Sequence, residues 1–108
     1  MGDRVSIAFE CDGEVSVALF SHWDGRGFVK MAEKYAATLR TDSSVTPLDR
    51  MEPGTVMVDF IRVLTKGKGP ISSNYYLGAT CKDGDNGDNG HWVVNLRTGK
   101  AARQVKDG

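Results

Sequence analysis

The sequence predicts an α+β fold: a two-layer sandwich in which a four-stranded antiparallel sheet packs on two helices, in the chain order ββ-α-α-ββ. Three observations lead to this prediction. Apolar residues alternate near the start of the chain, recur at helical spacing in the middle, and alternate again near the end. The chain has 108 residues, of which 40% are hydrophobic and 26% charged. These values are typical of one globular domain, which we expect to span residues 1–108.

Residues 4–21 predict a β-hairpin, because apolar residues alternate along both halves of this segment. The alternating set is Val5, Ile7, Phe9 and Cys11, followed by Val15, Val17 and Leu19. A three-residue loop at 12–14, which pairs Ile7 with Leu19, would place the whole set on one face. A two-residue loop at 12–13 would split the set between both faces. Register follows the buried face, so we expect the three-residue loop.

Residues 25–40 predict an amphipathic helix, since apolar residues recur there every three or four positions. They are Phe28, Met31, Ala32, Tyr35, Ala36 and Leu39. Asp24 precedes this segment and is a favourable N-cap residue, because its carboxylate can accept hydrogen bonds from the first-turn N–H groups. Residues 41–54 are rich in turn-forming residues and predict the longest irregular segment.

Residues 55–65 fit either a strand or a helix, and their polar positions favour a short helix. Thr55, Asp59, Arg62 and Lys66 are spaced four, three and four apart, as on one helical face. The opposite face is apolar and consists of Met57, Phe60, Ile61 and Leu64.

Residues 73–81 and 91–97 alternate again and predict a second hairpin, joined by a long loop of Asp, Asn and Gly. Residues 97–100 predict a turn, and the tail that follows is polar.

Charge and composition exclude several classes of function. The 14 basic and 14 acidic residues balance, which argues against nucleic-acid binding, because that requires a strongly positive surface. No apolar run approaches the roughly 20 residues of a membrane span, and no secretory signal is visible. Two cysteines are too few for a disulfide scaffold. We therefore expect a cytoplasmic protein that acts neither at a membrane nor on nucleic acid.

The Asp/Asn/Gly loop is a candidate site for a divalent cation. Asp83, Asp85 and Asp88 offer the oxygen ligands that calcium prefers. The spacing begins like an EF-hand loop, but its sixth position is Asp88 instead of glycine and its twelfth is Val94 instead of glutamate. The same composition is typical of a mobile hairpin loop, so both interpretations stay open. No other cofactor is expected.

Cys81 and His91 flank this loop and are the candidate catalytic pair of a small hydrolase or nucleotide-handling enzyme. A thiol nucleophile needs a base within hydrogen-bond reach, which His91 could supply. No G-x-S-x-G or comparable signature accompanies the pair. A cysteine on an apolar strand is more often a core residue, so the expectation leans towards a protein that is not an enzyme.

Two His-Trp dipeptides form the candidate binding surface. His22, Trp23 and Asp24 lie where a predicted strand ends and the first helix begins, and His91 and Trp92 begin the last predicted strand. Both dipeptides could lie at the same end of the sheet. Aromatic residues anchored on strands make good protein contacts, because they bury much area at little entropic cost. A protein-binding module whose partner is another protein is therefore the leading expectation.

Two stretches, residues 17–25 and 88–96, resemble a group of uncharacterised small proteins encoded by phages, prophages and other prokaryotic mobile elements. The shared pattern is a strand, the motif S/T-H-W-x-G, two helices, and Asp88-Asn89 shortly before His91. The loop at 82–90 is longer than in that group. The resemblance implies no activity, but it implies a cytoplasmic, phage-linked setting. There the partner would be a host protein such as a defence component, as for anti-CRISPR inhibitors.

Overall fold

The structure, a computed structural model, describes residues 3–39, 52–65, 75–82, 84 and 86–104. It confirms the α+β class, with two helices packed on one face of a mixed six-stranded sheet. The elements are β1 Val5–Cys11, β2 Glu14–Val15, β3 Ala18–Ser21, α1 Arg26–Leu39, α2 Pro53–Leu64, β4 Tyr75–Gly78, β5 His91–Asn95 and β6 Lys100–Arg103. Within this part of the chain, no helix is long and apolar enough to cross a membrane.

The sheet is not the four-stranded antiparallel sheet that the sequence predicts. Its strand order is β4-β3-β1-β5-β6, with β2 also paired to β1, and β5 runs parallel to β1. The predicted hairpin of residues 73–81 with 91–97 is therefore wrong, because β3 and β1 lie between β4 and β5. Residues 79–90 between them are long enough for the crossover that parallel strands require. The tail supplies β6, which pairs antiparallel with β5 after the predicted turn.

The strand pairing of the first hairpin shifts by one residue between its tip and its base, so neither of the two loop lengths considered accounts for the whole hairpin. At the tip Glu10 pairs with Val15, which leaves a two-residue loop, so the expected three-residue loop is wrong. Further along, Ile7 pairs with Leu19 as predicted. The extra residue is taken up by a β-bulge at 16–17, where Ser16 N–H donates to the Phe9 carbonyl and Ser16 Oγ accepts from Phe9 N–H at 3.0 Å. Because of the bulge, the apolar residues of both strands face the same side of the sheet, although the turn has only two residues.

The main core lies between this face and the helices. Every second residue of β1 points into it, and the buried members include Val5, Ile7, Phe9, Leu19, Phe28, Ala32, Ala36, Leu39, Val56, Met57, Phe60, Val94 and Leu96. Both predicted helices are confirmed: α1 begins one residue later than predicted, and α2 begins two residues earlier and ends one residue earlier. Residues 40–51, which include the predicted end of the first helix and most of the predicted irregular segment, lie outside the described residues. Met31, predicted to lie on the apolar face of the first helix, is 45% exposed.

A polar contact joins the two helices at the edge of the core. Tyr35 Oη donates to the Asp59 carboxylate at 2.6 Å, and Arg62 Nε donates to the same carboxylate at 2.8 Å. Burial, followed by the bond to Asp59, raises the pKa of Tyr35 far above its usual range. Burial alone would raise the pKa of Asp59, but the two hydrogen bonds hold it below its ordinary value. Asp59 therefore stays ionised and fixes α2 against α1.

The opposite face of the sheet is also buried where the crossover passes over it. Ser6, Ala8, Ala18 and Phe20 are all buried on this face. Gly84 of the crossover lies so close that a Cβ there would meet the rings of Tyr76 and Phe20 at 2.7 and 2.8 Å. Gly84 and Asn86, which belong to the segment interpreted above as either a cation site or a mobile hairpin loop, therefore lie against the second face.

Candidate binding surface at one end of the sheet

Strand register brings both His-Trp dipeptides to the same end of the sheet, as the sequence suggested. Ser21 pairs with Val5, so His22 and Trp23 follow the end of β3 at this level. His91 pairs with Ser6, so Trp92 and His91 begin β5 at the same level. We call this end the rim and define it as Asp3, Arg4, residues 22–26 and residues 88–92.

Hydrogen bonds through Asp3 and Asn89 join the two dipeptides. Asp3 N–H donates to the His22 carbonyl at 2.8 Å, and the Asp3 carbonyl accepts from Gly25 N–H at 2.9 Å. The Asn89 side chain donates to the Asp3 carboxylate at 2.7 Å. The Asn89 carbonyl in turn accepts from the indole N–H of Trp92 at 2.9 Å. The turn after β3 and the start of β5 are thus tied into one surface.

Aromatic rings lead from the buried second face to the exposed part of the rim. Phe20 stacks in parallel on Tyr76, with ring centroids 4.9 Å apart. His22 lies 5.0 Å from the Tyr76 ring and 6.5 Å from the Trp23 ring. The indole of Trp23 is 60% exposed at the end of this series. The exposed indole therefore ends a series of neighbouring rings that begins at the buried Phe20.

Asp24 helps to shape the turn between β3 and α1. Ser21 Oγ donates to the Asp24 carboxylate at 3.1 Å, and Asp24 N–H donates to Ser21 Oγ at 3.2 Å. Gly25 follows with a positive φ of 58°, and α1 begins at Arg26. A Cβ at Gly25 would overlap the Asp3 carboxylate, so glycine lets the turn approach the start of the chain.

The His91 side chain is the buried member of the rim, since it is only 8% exposed. Its Nδ1 lies 2.7 Å from the buried Ser6 Oγ, and the Asn86 side chain donates to the same Oγ at 2.9 Å. Because Ser6 Oγ accepts from Asn86, its own hydrogen can be donated to the unprotonated Nδ1 of neutral His91. This network, which we call the Asn86–Ser6–His91 network, holds the crossover against β1 and β5.

The network predicts that stability falls as the pH is lowered from 7 to 5. Burial lowers the pKa of His91 below its ordinary value of 6.5, so the unfolded chain takes up the proton first. The full contribution of neutral His91 to the free energy of unfolding is present above about pH 6.5. It is lost as the pH falls from there towards the pKa of His91 in the folded state. Urea unfolding at several pH values measures this slope, and His91→Asn should flatten it. An unchanged slope in that variant would contradict the assignment.

The candidate cation site is placed only in part. Asp83 and Asp85 lie outside the described residues, and the Asp88 carboxylate accepts a hydrogen bond from Arg4 N–H at 2.9 Å. Among the residues that the structure describes, no group of three His, Cys, Asp or Glu side chains could hold a metal ion. Calcium binding by this loop therefore stays a prediction from the sequence.

In the candidate catalytic pair, the His91 side chain and the Cys81 backbone both join the hydrogen bonds around Ser6 and Asn86. His91 Nδ1 bonds to Ser6, and the Cys81 carbonyl accepts from the Asn86 side chain at 3.2 Å. Ser6 itself is fully buried, so a substrate could not reach its hydroxyl in this conformation. The arrangement fits a structural role for the Asn86–Ser6–His91 network.

Sequence reasoning missed the polar residues that build the rim and its support. They are Asp3, Arg4, Ser6, Asn86 and Asn89. Two of them carried a signal, since Ser6 is a polar residue inside an apolar strand and Asn89 belongs to the stretch 88–96 on which the family resemblance rests. No family model matches this chain, and no significant match is found among curated proteins or solved structures.

Proposed function

We propose that this protein is a small non-enzymatic binding module that contacts another protein through the rim, with Trp23 as the central contact residue. The observation that carries the proposal is a large indole left 60% exposed on a turn that hydrogen bonds hold in place. In the phage-linked setting implied by the sequence resemblance, the partner is a host protein, such as a defence component.

Two physical properties support this role. An indole has few rotatable bonds, so burying it in an interface yields a large apolar area at a small entropic cost. The turn that carries it is also already ordered, since both Asp3 and Ser21 bind its backbone. A preorganised contact residue of this kind loses little freedom on binding.

Trp23→Ala is expected to weaken binding to the partner by about 2 kcal/mol, or about 30-fold, because tryptophans at interface centres contribute at this level. The test is capture of proteins from a bacterial lysate by the immobilised protein, with quantitative mass spectrometry, followed by affinity measurement on the purified partner. The fold of each variant is checked by its amide NMR spectrum.

Val58→Ala is the matched control, since Val58 is 69% exposed but lies on α2, away from the rim. We expect the control to capture the same protein as the wild type and Trp23→Ala to lose it. If Trp23→Ala retains the partner at the wild-type affinity, the rim is not the contact surface and the proposal is wrong.

A further inference from the structure

Two arginines lie at the indole of Trp92, at the start of β5. The guanidinium carbon of Arg26 is 5.7 Å from the centroid of the Trp92 ring, which is a cation–π distance. Arg103 pairs directly with Trp92 across β5 and β6, so both side chains project from the same face of the sheet. We call Arg26, Trp92 and Arg103 the arginine cluster.

The cluster is held in place by its surroundings. The indole N–H of Trp92 donates to the Asn89 carbonyl, which fixes the plane of the ring. The guanidinium of Arg103 lies against the backbone of Gly90, so close that a Cβ there would be 2.6 Å from Nε. Gly90 has a positive φ of 85°, and glycine therefore supplies both the turn and the space for Arg103.

Among the residues that the structure describes, the two arginines of the cluster have no acidic partner. Neither Arg26 nor Arg103 forms an ion pair with another residue, within the part of the chain that the structure describes. Other arginines differ: Arg97 is paired with Asp12 at 2.7 Å.

The acidic side chains near Arg26 are hydrogen-bonded to other residues. The first turn of α1, which begins at Arg26, contains no acidic residue to offset its positive helix end. The nearby carboxylates of Asp24 and Asp3 accept hydrogen bonds from Ser21 and Asn89.

We propose that the arginine cluster binds an acidic segment of a partner protein, with a carboxylate held by the two guanidinium groups beside the indole. This inference rests on the proposed function of the rim, to which Arg26 and Trp92 belong. The planar guanidinium presents paired N–H donors that match a carboxylate, and such charge-assisted bonds are about twice as strong as neutral ones. The chain as a whole is neutral, so the attraction is local to this cluster.

The test uses a short oligoglutamate peptide as the probe, added to the full chain and followed by amide NMR. We expect saturable shifts at Arg26, the Trp92 indole and Arg103, and an affinity that falls as salt is added. The double variant Arg26→Gln with Arg103→Gln should bind the peptide at least about tenfold more weakly, from the loss of charge-assisted bonds.

The double variant Arg62→Gln with Arg97→Gln is the matched control, because it removes the same two charges from arginines already paired with Asp59 and Asp12. Affinity within about twofold of the wild type in this control, together with the loss in the double variant of the cluster, supports the inference. Equal weakening by both double variants, shifts scattered over all basic residues, or no binding would overturn it. Binding of a single-stranded oligonucleotide at the cluster without peptide binding would also overturn it.

The defined peptide keeps this result separate from the capture experiment with Trp23→Ala. If Trp23→Ala loses the partner but the peptide does not bind, the rim is a contact surface and the proposal that it binds an acidic segment is wrong. If the peptide binds the cluster but Trp23→Ala keeps its partner, the role of Trp23 is wrong.

Discussion

Replacing Phe60 by alanine is expected to lower the free energy of unfolding by about 3–5 kcal/mol. Phe60 is 1% exposed and lies between the two helices and β1. Its ring meets Phe9 edge-on with centroids 5.4 Å apart, and the centroids of Tyr35 and Phe28 lie 5.1 and 6.0 Å away. Truncation removes these contacts and leaves a cavity that rigid rings cannot fill. Urea denaturation measures the loss.

Val58→Ala is again the control, since Val58 lies on the same helix two residues earlier and faces solvent. We expect this change to alter stability by no more than about 0.5 kcal/mol. If the two variants were equally stable, Phe60 would not lie in the core, and the packing of α2 described here would be wrong.

Ser6→Ala is expected to lower the free energy of unfolding by about 1–3 kcal/mol, because it removes a hydroxyl shared by two polar groups. His91 Nδ1 would lose its partner below the surface, and the Asn86 side chain would lose one of its two bonds and keep the one to the Cys81 carbonyl, counting the described residues. We also expect faster amide exchange at residues 86–90, since the network holds the crossover against β1. Denaturation and hydrogen exchange measure the two effects.

Thr38→Ala removes a hydroxyl of similar size from an exposed position on α1, where Oγ1 donates to the Lys34 carbonyl at 3.1 Å. We expect a change within about 0.5 kcal/mol and no effect on exchange at residues 86–90. Equal effects of the two substitutions would mean that the Ser6 hydroxyl does not anchor the crossover.

The helices were predictable because their signal is local. The spacing of Phe28, Ala32 and Ala36 along α1 already shows which side of the helix faces the core. The polar positions Asp59 and Arg62 of α2 have opposite parity, which excludes a strand with one buried face. The exposure of Met31 was not predictable. Met31 lies at the edge of the apolar face, and a residue there is buried only if a neighbouring element covers it, which the spacing of apolar residues does not show.

Strand pairing was less predictable because it depends on contacts between distant segments. The alternation of apolar residues indicated that the first hairpin has one apolar face. It did not show whether the extra residue that this requires lies in the loop or in a bulge. Asp12 and Gly13 adopt positive φ values of 53° and 91°, which suit a two-residue turn, and Ser16 takes up the extra residue. The local sequence of β5 does not indicate that this strand pairs in parallel with β1.

The candidate site was predictable in its aromatic residues and not in its polar ones. His22, Trp23 and Trp92 stand at strand boundaries, so their shared end of the sheet could be anticipated. Asp3 and Asn89, which tie these residues together, look like ordinary loop residues, because their role exists only once β5 lies beside β1. Arg103 was likewise unpredictable, since its position opposite Trp92 requires β6.

The parallel pairing of β1 with β5 is the claim on which the rim, the Asn86–Ser6–His91 network and the arginine cluster all depend. Backbone nuclear Overhauser effects test it most directly. We predict contacts that match Ser6 with His91 and continue in parallel to Glu10 with Asn95. Contacts of β5 with β4 in an antiparallel hairpin, and none with β1, would show that this strand order is wrong.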